Sequence, residues 1–177
     1  MKRLISIILL SIIAVGAYSQ NTIKFLGIPI DGTKKEMISK LVAKGYEYNS
    51  YQDVLTGEFN GTNVTISVQT VNNRVWRIVV VDKSFDGEAN IKVLFNNLLD
   101  QFLSNKKYIL AQGEKLTDKD DISYEITVHK KRYDAAFILA DETINGYVWY
   151  MIVDEYGKYR IAIFYENQDN AANGDDL

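Results

Sequence analysis

Apolar positions recur at helical spacing in the stretch that follows Thr33. These positions are Met37, Ile38, Leu41 and Val42. The residues Thr33-Lys34-Lys35-Glu36 match a capping box, in which the Thr hydroxyl and the Glu carboxylate satisfy free amide groups at a helix start. Gly45 fits the left-handed position that ends a helix. The pattern predicts an amphipathic helix, so the preceding stretch with the single proline is expected to lead into it rather than to carry chemistry.

The period changes from helical to alternating over residues 54–82, which predicts β-strands. Asn60-Gly61 is a strong hairpin turn, and Asn72-Asn73-Arg74 is a second turn, so this segment predicts a three-stranded meander. A second amphipathic helix is predicted over residues 88–104. Its apolar stripe is formed by Ile91, Leu94, Phe95, Leu98, Leu99 and Phe102.

Four more strands are predicted after the second helix. They cover residues 122–128, 133–140, 147–153 and 159–165. Residues 115–121 are predicted to form a charged loop, and residues 167–177 a polar, disordered tail. The predicted class is α+β, with two helices on one face of an antiparallel meander sheet of about seven strands.

A weak internal repeat divides the chain. At a shift of 83 residues, Trp76-Arg77-Ile78-Val79-Val80 lies over Tyr159-Arg160-Ile161-Ala162-Ile163. The turn before each segment also superimposes, with Asn72-Asn73-Arg74 over Glu155-Tyr156-Gly157. A tandem αβββ duplication, with halves at 20–84 and 85–166, would produce this match, and so would chance similarity between two apolar hairpins.

Residues 1–19 have the features of a secretory signal peptide. Lys2 and Arg3 precede a mostly apolar run, and Ala17-Tyr18-Ser19 places small residues at the spacing that a signal peptidase accepts. The run is shorter than the roughly 20 residues needed to span a bilayer, and no later segment stays apolar for that long. We therefore expect a single domain over residues 20–166, exported to the periplasm or secreted, without a membrane span.

Composition excludes several classes of partner and site. The chain has no cysteine, so it has neither a disulfide framework nor a lipid-attachment cysteine. The net charge is −3, and about −5 once Lys2 and Arg3 are removed. Because phosphate binding draws on clustered Lys and Arg, this acidic chain is not expected to bind nucleic acid.

The N-terminal segments resemble those of a known group of proteins. The AYSQN junction at 17–21 and the stretch IDGTKKEMISKLVAKGY at 30–46 are similar to those of small periplasmic proteins of Bacteroidetes. A helix followed by an antiparallel meander occurs twice along the chain, and this order resembles the β-lactamase-inhibitor-protein-like fold. A PepSY-like α+β domain is the competing resemblance. The resemblance implies a concave sheet that binds another protein, without catalytic residues. The lack of cysteines departs from the inhibitor pattern.

Side chains for catalysis or metal binding are sparse. His129 is the single histidine and follows polar positions of a predicted strand, so we expect it to be exposed and structural. Asp118, Asp120 and Asp121 with Glu114 lack the spacing that wraps a calcium ion. We expect no metal, no cofactor and no enzymatic activity. Any two of the 23 acids can meet in a fold, so a glycosidase-type carboxylate pair stays open.

The aromatic content fits an ordinary half-buried sheet, and it also fits a binding face. The chain has 12 Tyr and 2 Trp, and tyrosine suits interfaces with proteins or sugars as well as ordinary half-buried sheets. Gly157 suits a three-residue hairpin loop that would pair Val153 with Tyr159. That pairing assigns one face to the core, formed by Trp149, Met151, Val153, Tyr159, Ile161 and Ile163. The second face would then consist of Val148, Tyr150, Ile152, Arg160, Ala162 and Phe164.

This second face is the predicted binding surface, because two helices cover only one side of a sheet. Its candidate residues are Tyr150, Arg160 and Phe164, with Val148 and Ile152 beside them. Arg77 joins them if its preceding turn has three residues, and it points inward if that turn has two. We expect a non-enzymatic protein that binds a protein partner in the cell envelope. The alternatives are a carbohydrate or small-ligand binder and a carboxylate-dependent hydrolase.

Overall fold

An eight-stranded antiparallel sheet organises the computed structural model, which describes residues 22–171. The predicted signal peptide and residues 172–177 lie outside the described residues. The helices are α1 (Lys34–Ala43), α2 (Glu88–Ser104) and α3 (Ile122–His129). The strands are β1 (Lys24–Phe25), β2 (Ile28–Pro29), β3 (Glu47–Asn49), β4 (Val54–Phe59), β5 (Thr62–Val71), β6 (Arg74–Asp82), β7 (Tyr108–Gln112), β8 (Asp134–Leu139), β9 (Gly146–Glu155) and β10 (Lys158–Asn167).

The sheet consists of two four-stranded meanders that join at their last strands. The strand order is β3-β4-β5-β6-β10-β9-β8-β7, and β1 pairs with β2 in a separate small sheet. The predicted α+β class is confirmed, with eight strands in the main sheet instead of about seven. The sequence pattern did not indicate β3 and β7, because these edge strands are short and mostly exposed and so lack an alternating apolar face.

The two halves are related across the β6–β10 pair. Val80 and Ile163 are equivalent under the 83-residue shift, and they pair directly with each other. Each half contains a helix followed by four antiparallel strands of the main sheet. The first half has the small β1–β2 sheet in addition, and the second half has the additional helix α3. This arrangement is the one that a tandem duplication would produce, and the duplication itself stays a prediction.

The capping box predicted for the first helix is present. The Thr33 hydroxyl accepts a hydrogen bond from the Glu36 amide at 3.3 Å, and the Glu36 carboxylate accepts one from the Thr33 amide at 2.9 Å. Such a cap contributes about 0.5–2 kcal/mol to stability. The helix then buries Met37 and Leu41 against the first meander.

The core lies between the sheet and the helices α1 and α2. Helix α2 buries its apolar stripe against the second meander, and its Phe102 ring stacks on Phe137 with centroids 4.5 Å apart. Both helices contact the same face, because the residues they cover, including Ile66, Val80 and Ile163, are register partners on one side of the sheet. Helix α3 begins beside the start of α2, where the Glu88 side chain accepts from the Ile122 amide, and it buries only Ile122. Among residues 22–171, no helix therefore covers the opposite face.

Residues 122–128 form part of helix α3, so their prediction as a strand is wrong. Asp121 caps the helix by accepting a hydrogen bond from the Tyr124 amide at 2.9 Å. His129 contacts the Glu125 carboxylate one turn earlier at 3.0 Å, and Lys130 ends the helix in the left-handed conformation. Only Ile122 is fully buried, so the alternating apolar residues of this segment do not pack as one face of a strand. The Asp121 cap instead stabilises the helix. His129 is exposed, at the end of a helix.

The start of the predicted tail is ordered, which corrects the expectation of disorder from residue 167. Asn167 ends β10 and is 2% exposed, and its amide donates to the Ile30 carbonyl at 2.8 Å. Asn170 follows in a short 3₁₀ turn and donates to the Val75 carbonyl at 2.8 Å. Side-chain amides thus fix this segment to two distant parts of the chain, which composition alone does not reveal.

Among residues 22–171, no helix is long and apolar enough to cross a membrane.

Candidate functional site: the open face of the sheet

The turn between β9 and β10 sets which side chains face away from the helices. It has two central residues, Tyr156 and Gly157, with φ of 57° and 77°, and it pairs Glu155 with Lys158. Two successive positive φ values are typical of the tight turn that matches strand twist. The predicted three-residue loop is therefore wrong, and Val153 pairs with Arg160 instead of Tyr159. A slip of one residue exchanges the two faces of β9 relative to β10.

Three predicted site residues consequently lie beneath the helices. Tyr150 is 0% exposed, and its hydroxyl donates a hydrogen bond to the Phe95 carbonyl of α2 at 3.0 Å. Val148 and Ile152 are buried on the same side of β9. Their assignment to the binding face is wrong because the turn is one residue shorter than the sequence indicated.

The opposite side of β9 is formed by residues that the predicted three-residue loop wrongly assigns to the core. Trp149, Met151 and Val153 lie across from Phe164, Ala162 and Arg160 of β10. All except Ala162 are partly exposed. We use the name open face for the side of the sheet opposite α1 and α2. Its central residues are Trp76, Arg77, Trp149, Met151, Val153, Arg160 and Phe164.

Arg77 reaches the open face through a β-bulge. The preceding turn has two residues, Asn72 and Asn73, and by itself it would turn Arg77 inward. The register with β5 shifts between Gln69 and Thr70, so that Trp76 is the additional residue and Arg77 lies opposite Gln69. The bulge thereby compensates for the short turn.

Aromatic rings and guanidinium groups stack across the centre of this face. The rings of Trp149 and Phe164 are nearly parallel, with centroids 3.9 Å apart and an interplanar angle of 7°. The Arg77 guanidinium lies 3.9 Å from the Trp76 ring centroid and 5.6 Å from that of Phe164. Farther along the face, the Arg160 guanidinium lies 4.6 Å from the Phe85 ring. Such cation–π contacts hold long side chains in place on the sheet surface.

Glu166 fixes this arrangement from one end, and the sequence prediction did not include it. Its carboxylate is 1% exposed and accepts hydrogen bonds from the Trp149 indole at 2.8 Å and the Gln168 amide at 3.0 Å. The same carboxylate pairs with the Arg77 guanidinium at 2.6 Å. Burial, and a hydrogen bond to this carboxylate, raise the pKa of Tyr147 to about 12, so the phenol stays protonated. The available signal in the sequence was an acid at the end of an otherwise apolar strand.

The charges of the open face are neutralised within the chain. Arg77 pairs with Glu166, and Arg160 pairs with Glu155 from the adjacent hairpin turn. The face is therefore aromatic and amphipathic, without a net positive charge at its centre.

Acidic groups elsewhere serve local structure. Asp120 accepts hydrogen bonds from the Thr117 amide and hydroxyl at 2.7 and 2.8 Å, which hold its pKa below the usual range. Asp121 is the cap of α3. Among residues 22–171, no group of three or more His, Cys, Asp or Glu side chains is placed to hold a metal ion.

Comparison of the chain with protein-family models, with curated proteins and with solved structures finds no match. The resemblance to the β-lactamase-inhibitor-protein-like or PepSY-like proteins stays a prediction. What supports a function is therefore the geometry of the open face.

Proposed function

We propose that the protein is an exported, non-enzymatic binding protein whose open face binds a protein partner in the cell envelope. The observation that carries this proposal is the stacked Trp149–Phe164 pair with Arg77 beside it, on a sheet face without a covering helix among the described residues. Tryptophan and arginine are enriched at the energetically important centres of protein interfaces. Arg160 and Phe164 keep the role predicted for them, and Trp149, Met151 and Val153 take the place of Tyr150, Val148 and Ile152.

The side chains of this face are held in position before a partner arrives. The Trp149 indole and the Arg77 guanidinium are both bound to the buried Glu166 carboxylate. Ordering flexible side chains on binding costs about 0.5–1.5 kcal/mol for each one. A face that is already ordered avoids most of this cost, which favours specific recognition.

The arrangement favours a protein over a carbohydrate as the partner. Stacking on a sugar needs a free aromatic ring face, and the facing sides of Trp149 and Phe164 cover each other. The Trp76 ring is covered by the Arg77 guanidinium on one side. The exposed parts of these rings and the side chains of Met151 and Val153 remain for contact, and together they suit a broad apolar partner surface.

A carboxylate-dependent hydrolase is the least supported alternative. Burial raises the pKa of Asp82, which accepts a hydrogen bond from the Thr62 hydroxyl at 3.1 Å. Within the described chain, Asp82 is the only acid that lines its small cavity of 130 Å³. Glycosidase chemistry needs two carboxyl groups on either side of the substrate, so this site does not favour it.

Export is tested by the mass of the protein recovered from the cell envelope. We expect a chain that begins near Gln20, because Ala17-Tyr18-Ser19 provides the cleavage site. Intact-mass spectrometry of the protein from an osmotic-shock fraction measures this directly. Recovery of the chain with residues 1–19 still attached would contradict the proposal of cleavage.

Partner binding is tested by photo-crosslinking from the open face. A photoreactive phenylalanine at Met151 should form a crosslink to a partner protein in the native periplasm. The same group at Val93, an exposed position on α2, is the matched control and should not. With the captured partner purified, Phe164→Glu should weaken its affinity by about 30-fold, since a hot-spot residue contributes about 2 kcal/mol.

Two outcomes would contradict this proposal. A partner that binds Phe164→Glu and Val93→Glu equally well would place its site elsewhere. Crosslinks that join Met151 only to a second copy of the chain would replace the foreign partner with a homodimer.

A further inference from the structure

A cavity of 780 Å³ lies on the helix side of the sheet, away from the open face. It is bounded by the β1–β2 hairpin, the start of β7 and the segment that follows β8. Its walls combine polar and charged residues with an apolar part that includes Phe25, Leu26, Phe59, Leu139 and Ile144. A neighbouring cavity of 330 Å³ shares Leu26, Phe59, Tyr108 and Tyr165 with it. Volumes of this size are typical of sites for small ligands.

Two tyrosines, Tyr108 and Tyr165, line both cavities. Tyr165 is 7% exposed, and its ring packs on Phe25 with centroids 5.0 Å apart. Burial raises the pKa of both Tyr165 and Tyr108, so each hydroxyl keeps its proton and can donate. A ligand in the cavity that carries an acceptor can receive these hydrogen bonds.

Lysines give this cavity a positive charge, in contrast to the acidic chain as a whole. Lys24, Lys106 and Lys107 line it, and within residues 22–171 none of the three forms an ion pair. Asp141 is the only acid in the lining, and Thr143 holds its carboxylate through the backbone amide at 3.0 Å and the hydroxyl. The site thus combines apolar walls with unpaired cations and hydroxyl donors.

We propose that this cavity binds a single-chain amphiphile with a carboxylate head group, of the fatty-acid class. The apolar walls would enclose the hydrocarbon chain. The lysines would neutralise the carboxylate, and the tyrosine hydroxyls would donate hydrogen bonds to it. This ligand site is independent of the open face and of the protein partner proposed for it.

The test is a titration of the processed, exported protein with cis-parinaric acid, a fluorescent fatty acid. We expect saturable binding at one site, displaced by palmitate and not by hexadecanol, since the alcohol has the chain without the charge. The double variant Lys106→Gln/Lys107→Gln should weaken binding by about 10-fold, the change that losing one charge-assisted contact produces. The matched control is Lys35→Gln/Lys158→Gln, which removes two exposed lysines that do not line the cavity.

A further variant tests the Tyr165 hydroxyl without changing the charge. Tyr165→Phe should weaken palmitate binding by about 5-fold, because the ring is kept and one donor is lost. Each variant is compared with the wild type at temperatures where circular dichroism shows both to be folded. Absence of saturable binding would overturn the proposal, as would equal displacement by palmitate and hexadecanol with no effect of the two cavity lysines.

Discussion

Replacement of Tyr150 by alanine should destabilise the folded protein by about 3–5 kcal/mol, the usual cost of truncating a fully buried aromatic ring. The ring is 0% exposed and lies among three other rings, those of Phe95, Phe102 and Phe137, with centroid distances of 4.8, 6.0 and 6.2 Å. The variant also loses the hydrogen bond to the Phe95 carbonyl. Urea unfolding monitored by circular dichroism measures the change in the free energy of unfolding.

Two further variants separate the contribution of the hydrogen bond from that of the buried ring. Tyr150→Phe keeps the ring and should cost only about 1 kcal/mol for the lost hydrogen bond. Phe164→Ala removes a ring from the open face of the neighbouring strand, where it is partly exposed, and should cost about 1–2 kcal/mol. A Tyr150→Ala protein of near wild-type stability that loses partner binding would instead support the three-residue turn and the faces that it implies.

The register of one hairpin explains why only half of the residues predicted for the binding face lie on the open side of the sheet. On β10, the alternation alone places Ile161 and Ile163 on the buried side and Arg160 and Phe164 on the open side. The side chains of β9 follow from their pairing with β10, and that depends on the number of residues in the turn. Gly157 is compatible with a turn of two or of three residues. A positive φ at Tyr156 is uncommon for this residue type, so the sequence does not predict it.

Strong periodicity made the main helices and strands predictable, whereas helix α3 has only a weak local signal and was not predicted. Helices α1 and α2 and the strands β4 to β6 have long alternating or helical patterns, and each was predicted near its observed position. Helix α3 depends on the capping carboxylate of Asp121 and on the Glu88 side chain, which accepts from the Ile122 amide at 2.9 Å. The second of these contacts joins residues 34 positions apart, so no local pattern contains it.

The face on which Arg77 lies is a second feature that the sequence pattern could not predict, because two irregularities in the strand pairing cancel there. The two-residue turn at Asn72 and Asn73 reverses the face of β6, and the bulge at Trp76 restores it. Neither the turn length nor the bulge can be predicted from an alternation of polar and apolar residues, since Val75 to Val81 is apolar at nearly every position. The role of Glu166 was equally hidden, because its partners Arg77 and Trp149 lie on two other strands.

Glu166 is where the second large effect is expected. Glu166→Gln removes the charge that neutralises Arg77 and retains a side chain of the same size. Breaking a buried ion pair by removing one partner costs about 3–5 kcal/mol, and we expect about 2–4 kcal/mol here because the Arg77 side chain is still 24% exposed. The Trp149 indole loses a charged acceptor in the same variant. The loss is measured as the change in the free energy of unfolding in urea.

Glu155→Gln provides a control within the same molecule. Arg77 and Arg160 are equivalent under the 83-residue repeat, both lie on the open face, and both pair with an acid of the chain. The carboxylate that pairs with Arg77 is 1% exposed, however, and that of Glu155 is 40% exposed. Water screens the second pair, so Glu155→Gln should cost only about 0–1 kcal/mol. Equal and small losses in the two variants would show that burial of Glu166 does not control the position of Arg77, and the ordered binding face would lose its physical basis.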